Sequence, residues 1–278
     1  MSALPAFGPA AVAALAPSAL FSLEDRVAVV TGAAGGIGRW LAAGLGAAGA
    51  AVLVTDVDEG TLTEVEATLR EAGVRVEAVV VDLSLDDAPD RLVEAAVERL
   101  GGVHVLVNNA AVNKRMPILD MDEATWDWIT RLDLRLPYFL SRRAARQMID
   151  QGSGGAIVSI SSLNAFYALE HISVYGPAKA GLSQLTRVMA LEWVCHGIRA
   201  NAIAPGFMDT PLAAPIWADP ERSRWIFNRV PVERPGRPDE LIGACLLLAS
   251  DAGSFLTGQT LVVDGGALAG GRWFTPDR

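Results

Sequence analysis

Runs of apolar, largely β-branched residues alternate along this chain with stretches in which apolar residues recur at helical spacing. VAVVT (27–31) precedes IGRWLAAGLGAAG, AVLVTD (51–56) precedes TLTEVEATLREAG, and VEAVVVD (76–82) precedes DRLVEAAVERLG. VHVLVNNA (103–110) leads into a long helical stretch ending near 150, and AIVSISS (156–162) leads into YGPAKAGLSQLTRVMALEWVCHG. IRANAIAPG (198–206) and TLVVDGG (260–266) complete the set. The strand-like runs are apolar throughout, the pattern of parallel strands covered by helices on both faces. The alternation predicts an α/β fold, a single doubly wound (Rossmann) parallel sheet of seven strands spanning residues 23–278. Residues 207–236, rich in Pro, Trp and Arg, interrupt it; irregular insertions of this length are often lids.

Composition narrows the class. Hydrophobic residues make up 51% of the 278 and charged residues 20%, enough for a large core. A net charge of -9 argues against a nucleic-acid partner. Cys195 and Cys245 lie in apolar, helix-like runs and read as two buried thiols of a reducing compartment. Residues 1–22 are apolar, but Pro5, Pro9 and Pro17 interrupt any spanning helix. Their first following basic residue is Arg26, so they lack the charge that opens a secretory signal. They are expected to form an extension packed on the surface or on a partner subunit of a cytoplasmic protein.

TGAAGGIG (31–38) follows the first strand and opens a helix. Glycines at 32, 36 and 38, with Ile37 between the last two, let the backbone turn tightly against a pyrophosphate, and the helix N-terminus adds N–H donors. Asp56 ends the second strand, where a carboxylate accepts from the adenosine ribose hydroxyls and repels a 2′-phosphate. Gly35 and Val57 stand where a basic residue would welcome that phosphate, so NAD is the expected cofactor rather than NADP.

Lys114 and Lys179 are the only lysines among 23 basic residues. Lys179 follows Tyr175 by one helical turn, which puts the two on one face. An adjacent ammonium favours the phenolate, making Tyr175 an acid/base suited to an alcohol/carbonyl couple. A compact ammonium also reaches ribose hydroxyls more readily than a planar guanidinium. Pro177 falls in the first turn of a helix starting near Ser173, where no N–H is required. Ser162, at the end of the fifth strand, faces the ligand crevice and is placed to hydrogen-bond a substrate oxygen.

With these residues in place, the chain resembles the short-chain dehydrogenase/reductase family. TGAAGGIG, Asp56, VDL (81–83), NNA (108–110), Ser162, YGPAK (175–179), NAIAPGFMDT (201–210) and TGQTLVVDGG (257–266) occur in family order over about residues 23–267. The resemblance implies that Asp82 and Leu83 lie by the adenine, and the Asn109–Ala110 backbone by the ribose. It places Val57 beside Asp56, and Pro205, Gly206, Met208 and Thr210 around the nicotinamide. It makes Tyr175 the acid/base, Lys179 its tuner and ribose ligand, and Ser162 the substrate anchor; it implies a homotetramer built on helices at about 122–150 and 173–196 and on the C-terminal strand. The tail ALAGGRWFTPDR, with Trp273 and Phe274, is expected to cross a subunit interface. One departure stands out: Asp133 occupies the position of a family Asn that holds a proton-relaying water. Ala111 for the usual Gly is a smaller one.

The substrate is read from AAVNKRMP (110–117), which leaves the sheet on the crevice side and offers Lys114 and Arg115 to a carboxylate or hydroxyl-rich small molecule. This segment resembles that of sugar-acid and deoxygluconate dehydrogenases within the family. Asn164, Tyr167 and His171 are candidate wall residues, His171 an ordinary loop histidine rather than a second base. The expectation is an NAD-dependent oxidoreductase for a secondary alcohol or ketone of a sugar, sugar acid or polyol, with no metal. The alternatives are a ketone or 3-oxoacyl reductase and, because of Asp133, a catalytically impaired NAD(H)-binding regulator.

Overall fold

The computed structural model describes residues 7–13 and 15–270. Trp273 and Phe274 lie outside the described residues. Each apolar run becomes a strand: β1 (Val27–Thr31), β2 (Ala51–Asp56), β3 (Val76–Val80), β4 (Val105–Asn108), β5 (Gly155–Ile160), β6 (Ile198–Pro205) and β7 (Thr260–Val263). They form one 7-stranded sheet in the order β3-β2-β1-β4-β5-β6-β7, every neighbouring pair parallel. The order reverses between β1 and β4, so a crevice opens at their carboxyl ends. Several runs extend beyond the strands they form, because their last residues leave the ladder to line that crevice. The Asn109 and Ala110 amides, for example, turn from the sheet to donate to Thr31 Oγ1, both at 3.0 Å.

Among the described residues there are eight helices of eight or more residues: α1 (Gly36–Ala47), α2 (Glu59–Glu71), α3 (Ala88–Leu100), α4 (Glu123–Thr130), α5 (Leu136–Asp150), α6 (Tyr175–Trp193), α7 (Pro220–Arg229) and α8 (Ile242–Ala249). Successive strand residues point to opposite faces. Ala28, Val30, Val52 and Val54 pack with Leu41 and Leu45 of α1, Leu62 of α2 and Leu248 of α8. Val29, Leu53 and Leu106 pack on the other face with Leu92 of α3 and with Leu140 and Met148 of α5. Full burial of each such side chain contributes about 1.5–3 kcal/mol.

The long helix expected up to residue 150 carries a π turn, Arg131–Arg135, between α4 and α5. Segment 207–236 is pinned at its base, where Asp209 N donates to Gly236 O at 2.8 Å and Gly236 N to Phe207 O at 2.9 Å. Inside it, Trp217 stacks on Phe227, and Asp219 caps α7 by accepting from the Glu221 and Arg222 amides.

Pro9–Ala13 and Pro17–Leu20 form short helical turns. Among the described residues no helix is long and apolar enough to cross a membrane. Both cysteines are free thiols. Cys245 is buried as expected, and burial pushes its thiol up to about 12. Cys195 is exposed, contrary to expectation, because its apolar run continues past α6 into a 3-10 turn (Val194–His196) on the surface.

Candidate active site

The glycine turn links β1 to α1, whose N-cap is Gly35. A Cβ on Gly38 would collide with the Gly32 carbonyl, and one on Gly32 would stand 2.8 Å from Ala110 Cα. The turn therefore closes only with glycine at these positions. Asn109 Nδ2 donates to the Thr31 and Gly32 carbonyls at 2.8 and 3.0 Å, fixing the turn to the end of β4. A Cβ added to Gly35 would meet the Arg39 guanidinium at 3.9 Å, an ordinary contact.

Asp56, at the end of β2, accepts from the Ala34 amide at 3.0 Å and from the Val57 amide at 2.8 Å. Its carboxylate is thereby locked at the rim. Arg39, one turn into α1, donates to the Ala34 carbonyl. The helix thus winds Arg39 back to the glycine turn, a basic residue at the turn whose Ala34 amide donates to Asp56, although no ion pair joins Arg39 to Asp56 among the described residues.

Tyr175 opens α6, with Val174 at the N-cap and Pro177 inside the first turn. Lys179 lies one turn on and is only 2% exposed. Its Nζ donates to the Ile160 carbonyl at 3.1 Å and stands 5.5 Å from the Tyr175 ring centre. Behind it, Asp133 of the π turn is fully buried, with Oδ2 3.4 Å from Lys179 Nζ and Oδ1 accepting from Val112 N at 2.8 Å. Oδ2 has no aligned hydrogen bond, so its contact with the ammonium is an ion pair in character. Burial pushes the Asp133 carboxyl above the usual range, against the pull of Lys179 and of the Val112 amide. Burial likewise raises the Tyr175 phenol, and Asp133 adds to that rise; Lys179, Ser162 and Arg115 oppose it. The sequence expectation of a lowered phenol is therefore reversed, because desolvation and a second, negative neighbour outweigh the ammonium.

Ser162 stands at the end of β5 beside Tyr175, accepting from Asn164 N at 3.1 Å. Asn164 Nδ2 donates to the Tyr167 carbonyl at 3.2 Å. The two loops bordering this end are tied by Met116 N donating to His171 O at 2.9 Å. Lys114 turns away to Thr125 Oγ1 at the start of α4, whereas Arg115 faces the cleft. Arg115 is exposed; partial desolvation and nearby Arg222 lower its pKa, and Tyr175 opposes them. It makes no hydrogen bond or ion pair with another described residue.

A cleft of about 370 Å³ joins these groups. At one end lie Gly32, Gly36, Ile37 and Asp56; along it lie Asn109, Ala110, Lys179 and Tyr175; at the other end are Ser162, Asn164 and Arg115. Pro205, Gly206, Met208 and Thr210 form the wall leading into segment 207–236. Among the other expected residues, Gly38 supports the turn from beneath, and Asp133 sits behind Lys179. Val57 is exposed, Leu83 is buried, and the Asp82 carboxylate accepts from Ser84 N at 2.9 Å. None of these five lines the cleft. Sequence reasoning missed Asn113 and Glu170, which do line it. Asn113 lies in the segment already singled out for Arg115, and its Oδ1 is buried without a hydrogen-bond partner. Among the described residues no group of three His, Cys, Asp or Glu is placed to hold a metal.

The donor set suits a dinucleotide: a backbone cradle at a helix N-terminus, a carboxylate at the ribose end, and a lysine and tyrosine at the reacting end. The family model described as enoyl-(acyl carrier protein) reductase matches residues 32–267, and the chain belongs to the short-chain dehydrogenase/reductase family of nicotinamide-dependent oxidoreductases. It is 39% identical over 249 residues to the 2-dehydro-3-deoxy-D-gluconate 5-dehydrogenase of Escherichia coli K12, covering 90% of this chain and 98% of that one. It is 42% identical over 249 residues to the cis-4-hydroxycyclohexanecarboxylate dehydrogenase of Sinomonas cyclohexanicum, covering 89% and 98%. A solved gluconate 5-dehydrogenase from Burkholderia cenocepacia J2315, in complex with NADP and tartrate, matches with a TM-score of 0.88 at 34% identity, covering 92% of this chain and 100% of that one.

Proposed function

We propose that the protein interconverts a secondary alcohol and a ketone on a hydroxy-carboxylic acid, sugar acids foremost, with NAD(H) as its preferred cofactor. The observation that carries the substrate class is Arg115, a guanidinium at the reacting end with no hydrogen-bond or ion-pair partner among the described residues. A carboxylate satisfies it with charge-assisted hydrogen bonds. The named substrates of both relatives combine a carboxylate with a secondary hydroxyl or its ketone.

When bound, the nicotinamide supplies or accepts the hydride. Tyr175 gives a proton to the substrate oxygen in reduction and takes it in oxidation. Ser162 holds that oxygen, Asn164 and Arg115 orient the remainder, and Lys179 holds ribose hydroxyls. Gly32, Gly36, Ile37 and Gly38 shape the pyrophosphate cradle, with Asp56 and Val57 at the adenosine ribose and Asp82 and Leu83 at the adenine. Asn109 and Ala110 border the nicotinamide ribose, and Pro205, Gly206, Met208 and Thr210 the nicotinamide. Segment 207–236 is the lid over the substrate.

Asp56 supports NAD by repelling a 2′-phosphate. The NADP-bound relative and the position of Arg39 count toward NADP. The carboxylate is the stronger determinant, since it is fixed by two backbone amides at the rim. Free thiols at 195 and 245 fit a reducing, cytoplasmic setting. We assign the first 22 residues as an extension outside the catalytic unit and the assembly as a homotetramer.

One assay tests the reading. Sugar acids, their uncharged polyol analogues, hydroxycycloalkane carboxylates, simple ketones and 3-oxoacyl thioesters are compared with NAD(H) and NADP(H) by nicotinamide absorbance. Acids should exceed uncharged analogues in kcat/KM by at least about tenfold, and Arg115→Gln should erase the difference. Preference for simple ketones or 3-oxoacyl thioesters overturns the substrate class. Equal efficiency with NADP(H) overturns the role given to Asp56.

A further inference from the structure

A buried carboxylate behind the lysine changes what that lysine can do. Asp133 and Lys179 are 0% and 2% exposed, and their charged atoms stand 3.4 Å apart. Each ion is stabilised in this place by the other, and the ammonium also has the Ile160 carbonyl. The carboxylate is ionised on hydrogen-bonding grounds. Oδ1 accepts an N–H from Val112, and Oδ2 faces an ammonium, which is a donor. A protonated Oδ2 would aim its hydrogen at that donor and have no acceptor.

The other charged groups of the neighbourhood do not compete for Asp133. Arg131 and Arg135, on the same π turn, point outward to Asp86. Tyr175 and Lys179 face it from α6, and Arg115, on the loop after β4, acts on Tyr175 from the cleft side. Lys179 thus presents to Tyr175 one end of a neutral ion pair rather than a free positive charge.

We propose that Asp133 is a positioning residue that keeps Tyr175 protonated at neutral pH by neutralising Lys179 from behind, so that the site is set as a proton donor for carbonyl reduction. In reduction the carbonyl carbon takes the hydride that a bound nicotinamide would supply while the phenol O–H bond breaks and its proton passes to the substrate oxygen, and solvent reprotonates the phenolate; in oxidation the alcohol gives up its proton to the phenolate and its hydride to the oxidised nicotinamide. Removing the negative charge favours the phenolate and shifts both directions to lower pH.

The test begins with the protein free of cofactor. An ultraviolet titration of tyrosinate, with Tyr175→Phe subtracted, isolates Tyr175. Its midpoint in the native protein should lie above the ordinary 10.0. Asp133→Asn should lower it by at least about one pH unit. In the same variant, the alkaline limb of kcat/KM for ketone reduction and the acid limb for alcohol oxidation should move down together. A structural role alone would lower the rates and leave the limbs in place. Unmoved limbs, or limbs moved to higher pH, overturn the proposal. Should Asp133→Asn fail to fold, a native midpoint below 10 overturns it without any variant. The titration does not depend on turnover, so it separates failure of this inference from failure of the Tyr175 assignment.

Discussion

Nearly every positive charge in this chain is an arginine, yet a lysine stands at 179, and the space it occupies explains why. Its ammonium fits between the Ile160 carbonyl, the Asp133 carboxylate and the Tyr175 ring, with almost no exposure. A guanidinium is larger and needs partners spread in a plane, which this channel between β5 and the π turn does not offer. The phenol next to it lines the cleft, and it is the group proposed to carry the proton. Tyr175→Phe removes that hydroxyl and little else, so cofactor binding, read by fluorescence titration, should persist while kcat falls by roughly 10²–10⁴-fold. Activity within tenfold of the native enzyme would assign the proton to another group. The Tyr175–Lys179 spacing was legible in the sequence because one helical turn fixes it. The sign of the phenol shift was not, because it depends on how far the fold desolvates the phenol and on a carboxylate delivered from 46 positions upstream of Lys179.

The two ends of the strands have different tasks. At the carboxyl ends of β1, β4 and β5 the chain supplies the glycine turn, Asn109 and Ser162 to the cleft. At the amino ends, His104 before β4 accepts the Val27 amide on Nδ1 at 3.0 Å, tying the starts of β1 and β4 together. Burial and the nearby Arg26 hold this imidazole below its ordinary 6.5. The unfolded chain therefore binds this proton more readily than the folded one. The stabilising contribution is complete above pH 6.5 and is lost as pH falls through the window beneath it. The urea midpoint of native protein should drop between pH 7.5 and about 5, and His104→Asn should flatten that drop. An equal drop in both proteins would remove His104 from the effect. Strand positions were legible because buried parallel strands are apolar along their whole length. Less legible were features set by where a side chain turns: Lys114 toward the cap of α4, Arg39 back over the glycine turn, and the π turn that aims Asp133 inward.

At the scale of the whole molecule, the cleft accounts for the polar groups but not for the apolar surface on the far side. Trp126 of α4, Tyr138 of α5 and Leu191 of α6 are 48%, 45% and 80% exposed, and Val188 shares the α6 face. Leu134, Tyr138, Phe139 and Leu185 line a groove across the same helices. β7 is the last strand of the sheet, with one side unpaired and Val262 exposed. Apolar side chains concentrated on two separate faces are costly to leave in water, and an open strand edge invites another chain. The homotetramer proposed above would use both faces, since two distinct self-complementary contacts close four copies with dihedral symmetry. The helices concerned include α6, which carries Tyr175 and Lys179, so assembly would brace the reacting end from behind. Light scattering at micromolar protein should give four times the 29.3 kDa of one chain. Leu191→Asp, which places a charge on the helical face, should shift the mass to half that value or less, with a parallel loss of thermal stability. A native monomer at that concentration would leave both faces unexplained by self-association and would refute the tetramer.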